Sequence, residues 1–366
     1  MRATWAKAWI ASAMFVMLGS VLTACGDGTS DNRTEIRSVT VFGDSLSDVG
    51  TYHAATGDPA NPGKFTVNPG NVWVENVAAF YGLTVTPNRS LTMDKDASGG
   101  ATTQVGTATV IGGNGYAEGG ARVSQLPSES GVGNNQLVSP VTQQVARYLA
   151  AHGSFSPNAL VIVDGGANDT YAQFSAMCWG TDDNGIGAGN TTLDVATAAI
   201  AKAANDEVAL VRQIVNNGAR AVLVASAGDW SVNPFGRQYL SSAYQSTGCY
   251  TPVPASQISA WTTQFDQILS AGVANLPGVI YLDTSAVFGD VIANPANYGF
   301  VNVTDPACNN TTPTNSAVFC TDATLVSPNA TQTYFWSDAF HPTPHGHAIL
   351  SDRALALLMQ YTRQPD

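Results

Sequence analysis

Apolar residues follow two rhythms along this chain. Four short runs are nearly continuous: SVTVF (38–42), ALVIVDGG (159–166), RAVLVAS (220–226) and GVIYLD (278–283). Runs of this length, rich in Val, Ile and Leu and without polar alternation, suit strands buried on both faces. Longer segments with helical spacing lie between and after them, at 71–81, 140–152, 192–217, 254–274 and 344–362. In the third of these, Val195, Ala199, Ala203, Val208, Val211 and Val215 recur on one face, with Lys202, Asp206 and Arg212 off it. Strands alternating with helices predict a parallel sheet covered on both faces. Three stretches interrupt the pattern: 94–114, rich in Gly, Thr and Ala; 177–190, in Gly and Asp; and 303–333, in Asn, Thr and Pro. They read as surface loops or small additions near the sheet edge. No long polar linker and no repeat divides the chain, so residues 38–366 are expected to form one domain with loop insertions.

The first residues follow another logic. Arg2 and Lys7 precede an apolar stretch, 8–22, which reads as a secretory signal occupying residues 1–24. It ends in LTAC, similar to a bacterial lipobox, so Cys25 is expected to carry lipid and become the mature N-terminus. An ordinary cleaved signal or a single span is the alternative; an apolar stretch of about 15 residues is short for a span. Residues 25–37 are polar and read as a tether. The expected location is that of an exported lipoprotein on the outer membrane or cell surface, touching the membrane through Cys25. Gly26 stands where an Asp would have resembled an inner-membrane retention signal. A periplasmic or secreted protein is the alternative.

Charge and cysteines narrow the partners. The 366 residues carry a formal charge of −12, and without Arg2 and Lys7 the rest holds 13 basic against 27 acidic residues, or −14. Such a chain is repelled by phosphate backbones and has no basic stripe, so nucleic acid is not an expected partner. With Cys25 lipidated, Cys178, Cys249, Cys308 and Cys320 remain, and they can pair in three ways. Cys308 and Cys320 flank a loop of Asn, Thr and Pro and are expected to pair, leaving Cys178 with Cys249. Four free thiols are the alternative, disfavoured in an oxidising compartment. No Cys/His spacing suggests zinc, so no metal is expected. GGNGYAEGG (112–120) follows no clear strand with βαβ spacing and is not a dinucleotide fingerprint.

The chemistry gathers at strand ends. Ser45 follows the first strand in FGDSLSDVG, and GGAND (165–169) follows the second, which puts both at the rim where open parallel sheets bind ligands. Taken alone, Ser45 is either a nucleophile or a turn residue. Asp338 stands three residues before His341 in SDAFHP, a spacing that lets the carboxylate orient the imidazole in a helical turn or a tight loop. The alternative is that Asp338 caps the last helix. Asp44 and Asp48 are expected to hold their loop by backbone hydrogen bonds, and His345 and His347 to pack or cap.

Four blocks in order, VFGDSLSDVG, YAEGGARV (116–123), GAND (166–169) and DAFHP (338–342), resemble the SGNH or GDSL hydrolase family, in its bacterial secreted branch. HPTPHGHAIL is similar to the family's usual ending. The resemblance implies a flavodoxin-like three-layer α/β/α sandwich with a mostly parallel five-stranded sheet. It implies a triad of Ser45, His341 and Asp338, and an oxyanion hole of Ser45, Gly120 (Gly119 is the alternative) and Asn168. No cofactor is implied. The block lacks the G-x-S-x-G elbow of α/β-hydrolases. The implied reaction is hydrolysis of a carboxylic ester through an acyl-enzyme by a monomer acting on a small-molecule or lipid ester. A phospholipase or acyltransferase, a carbohydrate acetylesterase, and a non-catalytic lipid- or glycan-binding lipoprotein are the alternatives. Phe42, Tyr116, Tyr171, Trp179, Trp336 and Phe340 either line an acyl pocket or belong to the core.

Overall fold

The computed structural model describes residues 33–95, 101–128, 136–180, 191–309 and 316–365; Cys25 and the signal segment lie outside the described residues. All four apolar runs become parallel strands, Ser38–Phe42, Ala159–Asp164, Ala221–Ala225 and Val279–Leu282, side by side in that order. Successive side chains leave a strand on opposite faces, so each run feeds two cores. Val41, Leu160, Ile162, Leu223 and Leu282 pack with the helices Trp73–Phe80, Thr284–Ala293 and Pro344–Leu358. Phe42, Val161, Val163, Val222 and Val224 pack with Val141–His152, Ala167–Cys178, Leu193–Asn216 and Ala255–Val273. The result is a three-layer α/β/α sandwich.

The sheet has four strands among the described residues, where five were expected. The fifth position, beside Ser38–Phe42, is taken by a segment that pairs over a single parallel bridge, Val41 with Gly115. Tyr116 N–H donates to Val41 O (2.7 Å) and Glu118 N–H to Gly43 O (3.1 Å) in parallel register, but the ladder is broken between them because Gly43 N–H, which would donate to Tyr116 O, goes to Gln144 Oε1 (2.9 Å). Counting that segment, the order is flavodoxin-like, and the switch point lies at the end of Ser38–Phe42.

Other departures have local causes. Much of 94–114, read as a surface loop or small addition, belongs to an antiparallel hairpin, Arg89–Lys95 with Ala101–Val110, whose second strand is rich in the strand formers Thr and Val. A helix, Ala167–Cys178, begins inside the GAND block, where no helix was expected. In Leu193–Asn216 the buried stripe runs through Ala196, Ile200, Ala203, Ala204, Glu207, Val208, Leu210, Val211 and Ile214, and Val195 is 57% exposed. The buried face is thus the one expected from the sequence, with Val195 outside it at the helix start and with the acid Glu207 buried on it. Both disulfides, Cys178–Cys249 and Cys308–Cys320, are formed.

Burial of acids makes stability depend on pH. Asp266 accepts a hydrogen bond from Ser285 Oγ (3.1 Å) while its Oδ1 is buried without a partner, and burial pushes its carboxyl up to about 8. The folded state keeps this proton where the unfolded chain releases it near pH 4, so the native state binds more protons and stability falls between about pH 4 and 8. Asp266→Asn is expected to flatten part of that fall, being more stable than the parent at pH 8 and not at pH 4. Urea unfolding midpoints at the two pH values check this; an equal midpoint change at both would contradict it.

Candidate active site

The strand Ser38–Phe42 ends in a turn held by its own acids. Asp44 Oδ1 accepts from Leu46 N–H (2.9 Å), and Asp48 Oδ1 accepts from Gly50 and Thr51 N–H (2.9 and 2.7 Å). These bonds are the loop-holding role expected of both residues, and they leave Ser45 half-buried at the crest. Asp48 does more: its Oδ2 accepts from Gly119 N–H at 2.9 Å. Gly119 N–H is therefore committed, and a Cβ there would stand 2.2 Å from the Phe65 ring. Gly120, at φ +86°, borders the cleft beside Ser45, and neither its N–H nor that of Ser45 donates to a described protein atom.

Asn168 sits in the first turn of Ala167–Cys178, its Nδ2 2.9 Å from Ala121 O and 3.3 Å from Asp44 Oδ2. The second distance is long for a hydrogen bond to a carboxylate, so that hydrogen is only loosely held. Asp169 ties two of the blocks together, accepting from Val123 N–H (2.9 Å) and pairing with the buried Arg122 (3.3 Å).

Asp338 and His341 occupy a tight loop, not a helix. The last helix starts at Pro344 and is capped by Thr343, so Asp338 does not cap it. Instead Asp338 Oδ1 accepts from Phe340 and His341 N–H (2.8 Å each), and Oδ2 accepts from Ala317 N–H (2.7 Å), which the loop between Cys308 and Cys320 presents. Both carboxylate oxygens lie 2.9 Å from His341 Nδ1, and His341 Nε2 lies 2.8 Å from Ser45 Oγ. Serine, imidazole and carboxylate form one continuous hydrogen-bonded chain across 296 residues of sequence.

The GDSL-like Lipase/Acylhydrolase family profile matches residues 39–354. The chain belongs to the GDSL family. It is 41% identical over 80 residues to a GDSL esterase/lipase of Arabidopsis thaliana, which covers 21% of this chain and 21% of that protein. It is 25% identical over 156 residues to GDSL esterase/lipase 7 of the same plant, 42% of each chain. Over 288 residues it is 25% identical to a phosphatidylcholine-sterol acyltransferase of Aeromonas hydrophila, 76% of this chain and 67% of that protein. The matches thus span about a fifth and two fifths of the two plant relatives' lengths. Family membership supports an acyl or ester hydrolase in general.

In this GDSL protein the electrostatics of the carboxylate are decided by opposed effects. Burial pushes Asp338 up, but the His341 charge and the hydrogen bonds it accepts outweigh this and hold it below the usual carboxylate range. His347, which the family's ending also contains, is fully buried; its Nδ1 accepts Trp73 N–H (3.2 Å) at a helix start, and burial drives it down to about 3, so it stays neutral. His345 Nδ1 meets Gln332 O at 2.7 Å. Among the described residues no group of acids, cysteines and histidines could hold a metal ion.

A cleft of about 350 Å³ opens beside Ser45. Of the aromatics picked from sequence, Tyr171, Trp336 and Phe340 line it, whereas Phe42, Tyr116 and Trp179 pack in or against the core. Sequence reasoning missed Phe65, Trp230 and Phe288, which also line it. Phe65 packs 4.9 Å from the His341 ring; its only sequence signal is a lone aromatic in a polar stretch. Phe340 stacks on Phe235 (4.4 Å) and meets Tyr171 edge-on (5.5 Å), a rigid wall reaching from beside His341 to the helix that carries Asn168.

Proposed function

We propose that this protein hydrolyses carboxylic esters, of the EC 3.1.1 type, with Ser45 as nucleophile, His341 as general base and Asp338 as its orienting carboxylate. The observation that carries this is the Ser45–His341–Asp338 chain, at 2.8 and 2.9 Å, opening into the aromatic cleft. A serine hydroxyl is a weak nucleophile at neutral pH; a base within hydrogen-bonding reach removes its proton as it attacks the carbonyl carbon. The tetrahedral oxyanion would receive the free N–H groups of Ser45 and Gly120 and the loosely held hydrogen of Asn168. Collapse expels the alcohol, protonated by His341, and leaves an acyl-serine that water then hydrolyses by the same route. Gly120 suits this role better than Gly119, whose N–H is taken by Asp48.

The aromatic wall of Tyr171, Trp230 and Phe340 favours an apolar acyl group over acetate. Each methylene removed from water is worth about 0.8 kcal/mol, roughly fourfold in kcat/KM, for as long as the wall covers it. On p-nitrophenyl esters from acetate to palmitate, kcat/KM is expected to climb over the first few carbons and then level off. A maximum at acetate would favour a carbohydrate acetylesterase. The likeness to the Aeromonas acyltransferase favours a second reading, acyl transfer to an alcohol. Product partition with and without added alcohol separates it from hydrolysis. Sequence 1–37 supports export and anchoring through lipidated Cys25, which would place the cleft near membrane-borne esters.

A further inference from the structure

Beneath the serine turn lies a carboxyl that neither the triad nor the oxyanion site uses. Asp164 closes the strand Ala159–Asp164, is 2% exposed, and has an Oδ1 buried with no hydrogen-bond partner. It presses so closely on the turn that a Cβ at Gly43 would stand 1.7 Å from that oxygen. The turn is fixed there by Gln144, which clamps Gly43, accepting its N–H (2.9 Å) and donating to its C=O (2.8 Å).

Asp44 faces Asp164 within hydrogen-bonding reach, is itself 4% exposed, and is where the parts of the site meet. One of its oxygens fixes Leu46 N–H, next to the nucleophile, and the other draws on the Asn168 amide. The remaining ionisable groups around the pair are His341, acting on Asp44; Glu207, buried beside Asp164; and Asp169 and Asp266, both bearing on Glu207. Arg122 is already paired to Asp169, and no lysine or arginine among the described residues forms an ion pair with Asp44 or Asp164. Two touching carboxyls, shielded from water and without a cation, cannot both ionise; one proton stays with the pair.

We propose that Asp164 is a positioning residue for this site: held as the protonated acid, it donates to Asp44 and so fixes the acceptor that aims the Asn168 amide and the Ser45 turn. The inference rests on the reading of Ser45 and Asn168 given above. Burial and the neighbouring Asp44 raise the Asp164 carboxyl well above the usual range, in the same direction. Once the shared proton is lost at alkaline pH, two charges face each other under Gly43. The turn and Asn168 are then pushed out of register, which lowers kcat more than it raises KM. Misplacement of this kind, about 1 Å at the reacting groups, can cost on the order of a hundredfold.

The test is the pH dependence of kcat and KM on p-nitrophenyl butyrate for the full mature domain, its Asp164→Asn and Asp164→Ala variants, and Ser45→Ala. Asparagine keeps the shape and can donate the same hydrogen bond without titrating. Asp164→Ala should lose about tenfold to a hundredfold in kcat with KM little changed. Asp164→Asn should recover most of this and should lack the alkaline fall of the parent. An Asp164→Asn variant as slow as the alanine variant, or one with the parent's alkaline fall, overturns the proposal. If the alanine variant does not fold, the asparagine profile alone decides. Turnover in Ser45→Ala within tenfold of the parent would instead sink the triad reading, and this proposal with it; a Ser45→Ala variant slowed by orders of magnitude, beside an Asp164→Asn profile unchanged from the parent's, overturns the Asp164 role only.

Discussion

Ser45→Ala is expected to reduce kcat on a short-chain p-nitrophenyl ester by about 10⁶-fold, leaving a residual rate of about 10³-fold over water. The hydroxyl is the one group in the cleft placed both 2.8 Å from a ring nitrogen and beside the unpaired N–H groups of Ser45 and Gly120. Removing it abolishes the covalent route while sparing the oxyanion donors and the aromatic wall, which is why residual catalysis is expected. The fold should tolerate the change, because Ser45 is half-buried and its turn is held by Asp44 and Asp48, not by its own side chain. Steady-state kinetics, together with intact mass after treatment with a fluorophosphonate, check the prediction. The parent should gain one label and the variant none. A variant within tenfold of the parent, or one still labelled, would remove Ser45 from the chemistry.

Asp338→Asn should cost about 10⁴-fold in kcat. The carboxylate accepts at every contact it makes: from Phe340, His341 and Ala317 N–H and from His341 Nδ1 on both oxygens. An asparagine has one oxygen. Whichever way its amide lies, an N–H₂ then faces either the Ala317 N–H or the two backbone donors and Nδ1, and the imidazole loses the partner that keeps its proton on Nδ1. With that proton moved to Nε2, the ring cannot accept from Ser45. The same residue gives a stability effect of opposite sign to that of Asp266. Its folded-state carboxyl is held below the unfolded value, so its contribution is present above the unfolded value near pH 4 and is lost as pH falls through the folded one. The asparagine variant should therefore unfold more readily than the parent at pH 7, with the gap narrowing in acid. Imidazole ¹⁵N chemical shifts report the tautomer directly, and an unchanged tautomer with full activity would refute the assignment.

Much of the fold was legible because its causes are local. Uninterrupted aliphatic runs have only one comfortable place, a strand covered on both sides, and the four such runs are the four strands of the central sheet among the described residues. The helices at 71–81, 140–152, 254–274 and 344–362 were legible from apolar spacing alone, to within a few residues. The hairpin and Ala167–Cys178 were not. The first is polar enough to read as a loop, and the second opens on Gly166, whose left-handed backbone hides the start from any capping pattern. Of the site, the turn acids and the Asp338–His341 spacing could be read because three residues or fewer separate the partners.

The sequence by itself determined which four runs become the strands of the central sheet and which residues stand at their ends, and its short loop favoured the pairing of Cys308 with Cys320. Tertiary structure alone decided which of two adjacent glycines keeps a free N–H, since the Asp48 that claims Gly119 lies 71 residues away. It also decided that Ser45 meets His341, that Phe65 covers that ring, and that Asp164 sits under Gly43 with its unpaired oxygen. The physical reason is the same in each case. Strand and turn preferences are set by neighbours along the chain, whereas hydrogen-bond commitment and burial of charge depend on atoms that only packing brings within 3 Å.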